Sequence, residues 1–402
     1  MKMRVAIIGG GAAGMFCAAN LDEEKCEVKI FEQNADVLQK VKISGGGRCN
    51  VTHACFDPRE LAKFYPRGSR ELLSVFSKFQ PADTIGWFEE RGTKLKTEED
   101  NRVFPESNSS QSIIDTITKE VLAKGFEVKT RCAIRDIAYE EEIYKISTSG
   151  GVYPADAVVF ATGSAPRSLK ILENLGHGIV PPVPSLFTFN IQDALLEGLS
   201  GTNFEDAEIS VPAFKTEESG ALLITHWGLS GPAILKLSAW KARELAAQNY
   251  RFEILVNFIG ENIRGAEEIF LDFRNNHPKK SIGQSKIFNV THRFWHRVLE
   301  ISQIKAEKQL SQISKKEIMA MLENLCRKRF SVNGKSTFKE EFVTAGGVEL
   351  KEINFKTMQS KLLENFFLAG EVLDIDAVTG GFNFQACWSE AWLIAQALNG
   401  TV

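Results

Sequence analysis

The sequence predicts an α/β protein built on a Rossmann-type dinucleotide-binding unit, and three observations carry that prediction. An apolar run, Lys2–Ile8, passes through Gly9-x-Gly11-x-x-Gly14 into the helix-like stretch Ala12–Leu21. A β-rich segment, Glu27–Phe31, follows and ends at Glu32. Near the other end of the chain, the buried run Phe366–Leu368 opens into Ala369-Gly370-Glu371.

The remaining elements follow in order. Helices are predicted over Pro58–Phe64, Arg70–Phe79 and Pro81–Arg91, and Ser109 or Ser110 can cap another that runs to about Lys124. Strands are predicted at Phe126–Thr130, Ala133–Tyr139, Tyr144–Thr148 and Ala157–Phe160. Pro181-Pro182-Val183-Pro184 reads as the clearest linker. Beyond it come strand-like pieces near Leu186–Asn190, Ala207–Val211, Ala221–Ile224 and Phe252–Asn257, and a helix starting near Gly231. The stretch Arg264–Arg329 is largely helical in pattern. Strand signals return near Phe342, and a helix from about Phe384 to Leu398 closes the chain.

A chain of 402 residues is long for one domain, and two or three are expected. The net charge of -3 excludes a global polyanion mimic or nucleic-acid binder. Charge is nonetheless uneven, because Arg274–Lys339 holds 15 Lys/Arg against 4 Asp/Glu. Solvated helix faces or an acidic partner would both produce that imbalance. Lys2 and Arg4 before an apolar run resemble a secretion signal, but strand, glycine turn and helix explain every residue there. No segment has the ~18 uninterrupted apolar residues of a membrane span. Seven cysteines without a C-x-x-C pair read as reduced thiols in a cytoplasmic protein, with Cys49 singled out by its glycine-rich setting.

In the first motif Gly9 permits the tight turn, Gly11 admits a pyrophosphate, and Gly14 lets helix and strand pack closely. The amides of Ala12 and Ala13 open the helix, whose dipole favours an anion. Glu32, with Gln33 beside it, stands where a ribose-binding acid is expected, and favours FAD or NAD over a 2′-phosphorylated nucleotide. A second glycine-rich segment decides between the two. Lys42-Ile43-Ser44-Gly45-Gly46-Gly47-Arg48-Cys49-Asn50 follows where an NAD dehydrogenase would continue with βαβ units. Ser44, Gly46, Gly47, Arg48, Cys49 and Asn50 there suit a backbone lying close to a flat or charged ligand, or a surface loop. Arg48 could neutralise phosphate or support negative charge near a flavin ring. At the far end, Gly370, Glu371 and Asp374 can serve ribityl hydroxyls, or act as caps and surface charge. Gly381, Phe382 and Asn383 open the last helix toward the anionic end of a flavin. FAD is the expected cofactor.

These segments, in this order, resemble the bacterial aminoacetone oxidase-like family of FAD flavoproteins, which includes a reductase of dehydro-bile acids. The matching stretches are Gly9–Gly14, Lys42–Thr52, Asn101–Pro105, Ala161–Gly163, Pro184–Leu186, Thr225–Pro232, Thr344–Val348 and Ala369–Gln385. The resemblance implies a glutathione-reductase-like FAD domain built from both chain ends, 1–185 and 342–402. It also implies an inserted β-barrel-like domain, 186–263, whose last strand would come from about 331–341, and a helical subdomain, 264–330. It places Ile134 beside the adenine and Ala161, Thr162 and Gly163 near the dinucleotide. Ser164 stands where relatives often have a second glycine.

The expected activity is FAD-dependent redox chemistry on a small molecule, by an oxidase of small amines or by a reductase of unsaturated or keto compounds; since no second nucleotide motif occurs, NAD(P)H would be a transient electron donor. A flavoprotein that acts on nucleic acid through the basic insert, and a non-catalytic flavin-binding protein, are the alternatives. Neither a nucleic acid nor a membrane is the expected partner, and no metal site is expected. His226, in Thr225–Pro232, is the one candidate acid/base, or else a histidine that fixes a turn. Trp227 is expected to pack rather than to face a substrate.

Overall fold

A computed structural model describes residues 2–336 and 343–401. The chain divides into two compact units, Met1–Val183 with Lys339–Val402, and Pro184–Phe338.

The first unit is organised on a seven-stranded sheet. Its order is Ile353–Asn354, Gln359–Ser360, Phe366–Leu368, Ala157–Phe160, Met3–Ile8, Cys26–Phe31 and Glu127–Lys129. The last five strands are parallel, with Ile7 opposite both Ile30 and Val159, and Val159 opposite Phe367. Strands covered on both faces lose the polar half of their alternation, which is why Val5–Ile8 and Ala157–Phe160 are apolar throughout. The helix Ala12–Asn20 packs on the final helix, Phe382–Leu398, through Phe16 and Trp388, whose ring centroids lie 5.1 Å apart. A three-stranded meander, Ile134–Glu140, Ile143–Thr148 and Gly151–Ala155, meets the sheet through Tyr153 on Phe31 and Tyr144 on Phe366.

Two features depart from the sequence reading. The two units divide inside the proline stretch, yet the stretch is ordered as a strand. Ile179–Ser185 is a strand paired with Val343–Val348, and Gly346 lies so close that a Cβ there would sit 2.7 Å from the Pro181 carbonyl oxygen. Proline is tolerated because a two-stranded sheet asks each strand for hydrogen bonds along one edge only. The second departure is a small sheet of Thr52–His53, Arg102–Pro105 and Leu95–Thr97, strands too short to show a period.

In the second unit seven antiparallel strands run in the order Lys328–Asn333, Arg251–Asn257, Asn203–Val211, Thr216–Ile224, Gly228–Ser230, Thr188–Asn190 and Lys335–Ser336. The helices Ile263–Asn276, His292–Ile301 and Lys315–Cys326 share one apolar core with this sheet. Phe204 of the sheet meets Phe294 of a helix edge-on at 4.7 Å, and Phe258 joins Phe294 to Phe330. The segments expected as barrel-like and helical subdomains therefore form a single packed body. Of the predicted closing strand at about 331–341, positions 337–341 lie outside the described residues. Among the described residues, no helix is long and apolar enough to cross a membrane.

Candidate flavin-binding site

The first glycine turn is fixed by contact and by backbone conformation. Gly9 has φ +108°, and a Cβ there would lie 2.3 Å from the Ala161 carbonyl oxygen. A Cβ on Gly14 would lie 2.0 Å from the Gly9 carbonyl oxygen, so strand and helix touch only because both residues are glycine. Gly11 is different, with no atom within 4 Å of where its Cβ would be. It caps Ala12–Asn20 without any side-chain hydrogen bond. The first-turn amides of Ala12, Ala13 and Gly14 thus face open space with the positive end of the helix behind them.

Glu32 is buried, and its carboxylate is already oriented. Oε2 accepts the Gly10 amide at 2.8 Å, and Oε1 accepts the Asn34 amide at 2.7 Å and the Asn34 side chain at 2.8 Å. Gln33 is exposed. The Glu32 carbonyl accepts the Cys132 amide at 2.8 Å, which brings the Ile134 strand to the same corner.

The second glycine segment is a short 3-10 turn, Ser44–Gly47, in which Gly45, Gly46 and Gly47 all have positive φ. No atom lies within 4 Å of a Cβ on Gly46 or Gly47, so this backbone offers a bare face. Lys42 is exposed, and its carbonyl accepts the Ser110 hydroxyl at 2.8 Å. Arg48 is engaged within the protein: it pairs with Glu98 at 2.6 Å and lies 4.0 Å over the Phe104 ring. Cys49 is fully buried, and burial pushes its thiol up to about 12, so it is no thiolate nucleophile.

The chain's far end closes on these turns. A Cβ on Gly163 would lie 3.9 Å from Glu371 Oε2, and the same oxygen pairs with Lys40 at 2.5 Å. Ala161 extends the sheet through its amide to Ile8, and Thr162 donates to the Gly163 carbonyl at 3.3 Å. Asp374 is buried, with its amide on the Val348 carbonyl. With its amide oriented to satisfy both partners, Asn50 donates to the Thr52 carbonyl and accepts the Gly381 amide, each at 3.0 Å. Asn383 folds back on Ala377, accepting its amide at 3.0 Å. The amides of Phe382, Asn383 and Phe384 are left without intrahelical acceptors at the head of a 17-residue helix.

Sequence reasoning missed several residues here. His53 stacks on Phe382 at 4.6 Å with a buried, unpartnered Nδ1, and burial lowers its pKa. Gln385 accepts hydroxyls from Thr52 at 2.5 Å and Thr84 at 2.9 Å. Glu390 is the one acid on the buried face of the last helix, and its placement among apolar residues was the available signal. In the second unit, His226 is exposed on the turn that Thr225 and Gly228 close at 2.8 Å. Trp227 beside it is 58% exposed, so it does not pack as expected.

Glu390 gives this site a pH signature. Oε2 accepts the Gly370 amide at 2.6 Å, Oε1 has no partner, and burial pushes the carboxyl up to about 8. Its folded pKa stands above its unfolded value, so its contribution is whole below the ordinary carboxylate range. It is lost as pH rises toward 8. Wild-type stability in urea should fall by about 3 kcal/mol from this group between pH 5 and pH 8. In Glu390→Gln that slope should flatten; an identical pH profile in the two proteins would refute the assignment.

This fold and its assembled turns define a Rossmann-type flavoprotein, an FAD-dependent oxidoreductase by class. Residues 3–397 match the HI0933-like protein Rossmann domain, and the chain belongs to that family. It is 29% identical over 412 residues to the ribosomal RNA dihydrouridine synthase of Escherichia coli (strain K12), covering 98% of this chain and 97% of that one. It is 24% identical over 411 residues to the 3-dehydro-bile acid delta(4,6)-reductase of Clostridium scindens, covering 98% of each. Among solved structures, the 3-ketosteroid-delta4-(5alpha)-dehydrogenase of Rhodococcus jostii RHA1 shares the fold with a TM-score of 0.51 at 11% identity, over 98% of this chain and 97% of that one. FAD fits the residues present. An uncapped helix start behind an open Gly11, a pre-oriented buried acid and a bare glycine face lie within one unit.

Proposed function

We propose that this protein is an FAD-dependent reductase that saturates a carbon–carbon double bond conjugated to a carbonyl, and that its substrate is the uracil ring of ribosomal RNA. The carrying observation is chemical. Two relatives that match end to end are named for a dihydrouridine synthase and a delta(4,6)-reductase of a 3-dehydro compound. Both names describe addition of two hydrogens across such a bond. The basic stretch 274–339 favours the RNA substrate over a small enone.

In this reading Gly9, Gly11, Ala12, Ala13 and Gly14 hold the pyrophosphate. Glu32 holds the adenosine ribose, with Gln33 at its edge and Ile134 against the adenine. Ala161, Thr162, Gly163, Gly370, Glu371 and Asp374 line the middle of the cofactor. Ser44, Gly46, Gly47 and Asn50 present backbone to the ring, with Lys42, Arg48 and Cys49 fixing that turn. The amides of Phe382 and Asn383, which follow Gly381 at the helix head, face its anionic end. FAD held by these residues would supply hydride chemistry at the carbon β to the carbonyl, with NAD(P)H as the source of the electrons. The α carbon takes a proton from solvent.

The test is anaerobic. Purified protein is reduced with NADPH or NADH, then mixed with unmodified ribosomal RNA transcribed in vitro. Return of the oxidised flavin spectrum with formation of dihydrouridine is expected. Reoxidation by a small cyclic enone but not by RNA would reject the RNA substrate and keep the reductase.

A further inference from the structure

We infer that the second unit carries a single-stranded RNA-binding strip running from Trp227 to the lysines of the helical segment. This inference rests on the RNA reading above and adds the surface that holds the nucleic acid. Trp227 lies on the Thr225–Gly228 turn and, among the described residues, is the most exposed of the large apolar side chains in this unit. Its carbonyl accepts the Ile191 amide at 2.9 Å, which joins it to the segment Ile191–Leu199.

That segment is pinned to the helix His292–Ile301. Arg297 donates to the Ala194 carbonyl at 2.7 Å, and Arg293 donates to the Gly198 carbonyl. On the same helix the rings of His292 and His296 lie 4.2 Å apart, and His296 meets the Gly283 carbonyl at 3.1 Å. Gly283 in turn donates to the Ala306 carbonyl at 2.9 Å, and Ser281 bridges Gln309. Leu310 donates to the Lys280 carbonyl at 3.0 Å. Two loops are thereby zipped together, and they carry Lys279, Lys280 and Lys305.

Part of the charge on this path is engaged within the protein, with the Lys280 ammonium 5.6 Å over the Phe273 ring. Lys279, Lys280 and Lys305 are exposed and make no ion pair among the described residues. Their neighbour Lys308, by contrast, is paired with Glu317 at 2.7 Å. Asp193, Glu197, Glu300 and Glu307 are acids along the path; Asp193 faces Lys328 at 3.4 Å and Glu300 faces Arg297 at 3.2 Å. Exposed cations and an exposed indole on one compact unit are what an unstacked nucleic acid requires: charge for phosphates and a flat apolar face for a base. A protein partner would find neither a broad apolar core nor balanced charge here.

The experiment titrates the flavin-loaded full chain with a fluorescein-labelled single-stranded oligouridine at several salt concentrations. Lys279→Glu/Lys280→Glu/Lys305→Glu should weaken binding at least tenfold at low salt and lower the salt slope by about 2, at ~0.7 per lost phosphate contact. Trp227→Ala should weaken binding about tenfold with the slope unchanged, since stacking is not electrostatic. Both variants should keep full flavin content, which monitors the other unit. Unchanged affinity in both variants, with wild type still reducing RNA, would overturn the strip and leave the reaction. Failure of wild type to bind the oligouridine or ribosomal RNA at low salt would overturn both.

Discussion

Glu32→Arg protein is expected to purify colourless. The wild-type carboxylate is buried and accepts three hydrogen bonds, from the Gly10 amide and from the amide and side chain of Asn34. An arginine offers only donors, so it faces those N–H groups with more N–H groups and leaves buried polar atoms without partners. It is also too large, because Gly10 and Val37 already crowd this corner: a Cβ on Gly10 would meet the Glu32 Cβ at 3.1 Å and Val37 Cγ1 at 2.7 Å. The acid that is to grip the ribose is gone as well. Flavin content by absorbance should fall to a few per cent of wild type, with recovery by added FAD weakened at least a hundredfold, about 3 kcal/mol. Glu32→Gln, which keeps one acceptor oxygen and the side-chain size, should retain part of the cofactor. A fully yellow Glu32→Arg protein would contradict the role assigned to this residue.

The contrast between Glu32 and its neighbours explains what the sequence disclosed. Glu32 was legible because its position depends on local events, a strand of known period and a glycine turn of known spacing. The turns at Gly9–Gly14 and Gly45–Gly47, and the Ser109 cap of Ser110–Ala123, were legible for the same reason. Arg48 was not, since its role depends on Glu98, 50 positions away in a loop without a pattern. Thr52 and Gln385 meet across 333 positions, and His53 meets Phe382 over a similar separation. The proline stretch marked the division between the units, but its strand was not legible because breaker residues were weighed without the partner strand, Val343–Val348. Trp227 misled because aromatic size alone does not tell a core residue from an exposed one.

The last prediction concerns how the site is held together. Asp376 is fully buried, and its carboxylate takes two hydrogen bonds from the Arg67 guanidinium, which is itself 11% exposed. The two residues are also bridged through their backbones. Nearby, the Val378 amide donates to the Phe64 carbonyl at 3.0 Å, and Gly68 is pressed against Ile375. These contacts clamp the segment between Asp374 and Gly381, which ends at the head of the last helix. Asp376→Ala would leave a buried guanidinium facing a cavity, so a loss of about 3–5 kcal/mol is expected. For a unit of this size that lowers the melting temperature by roughly 10 °C. Arg67→Met/Asp376→Leu should recover most of that loss, because removing both charges also removes their desolvation cost. Flavin release, followed by the rise in its fluorescence on heating, should come earlier in Asp376→Ala than in the double variant. If the single and double variants melt together, the loss comes from packing, and the ion pair is not what holds this segment in place.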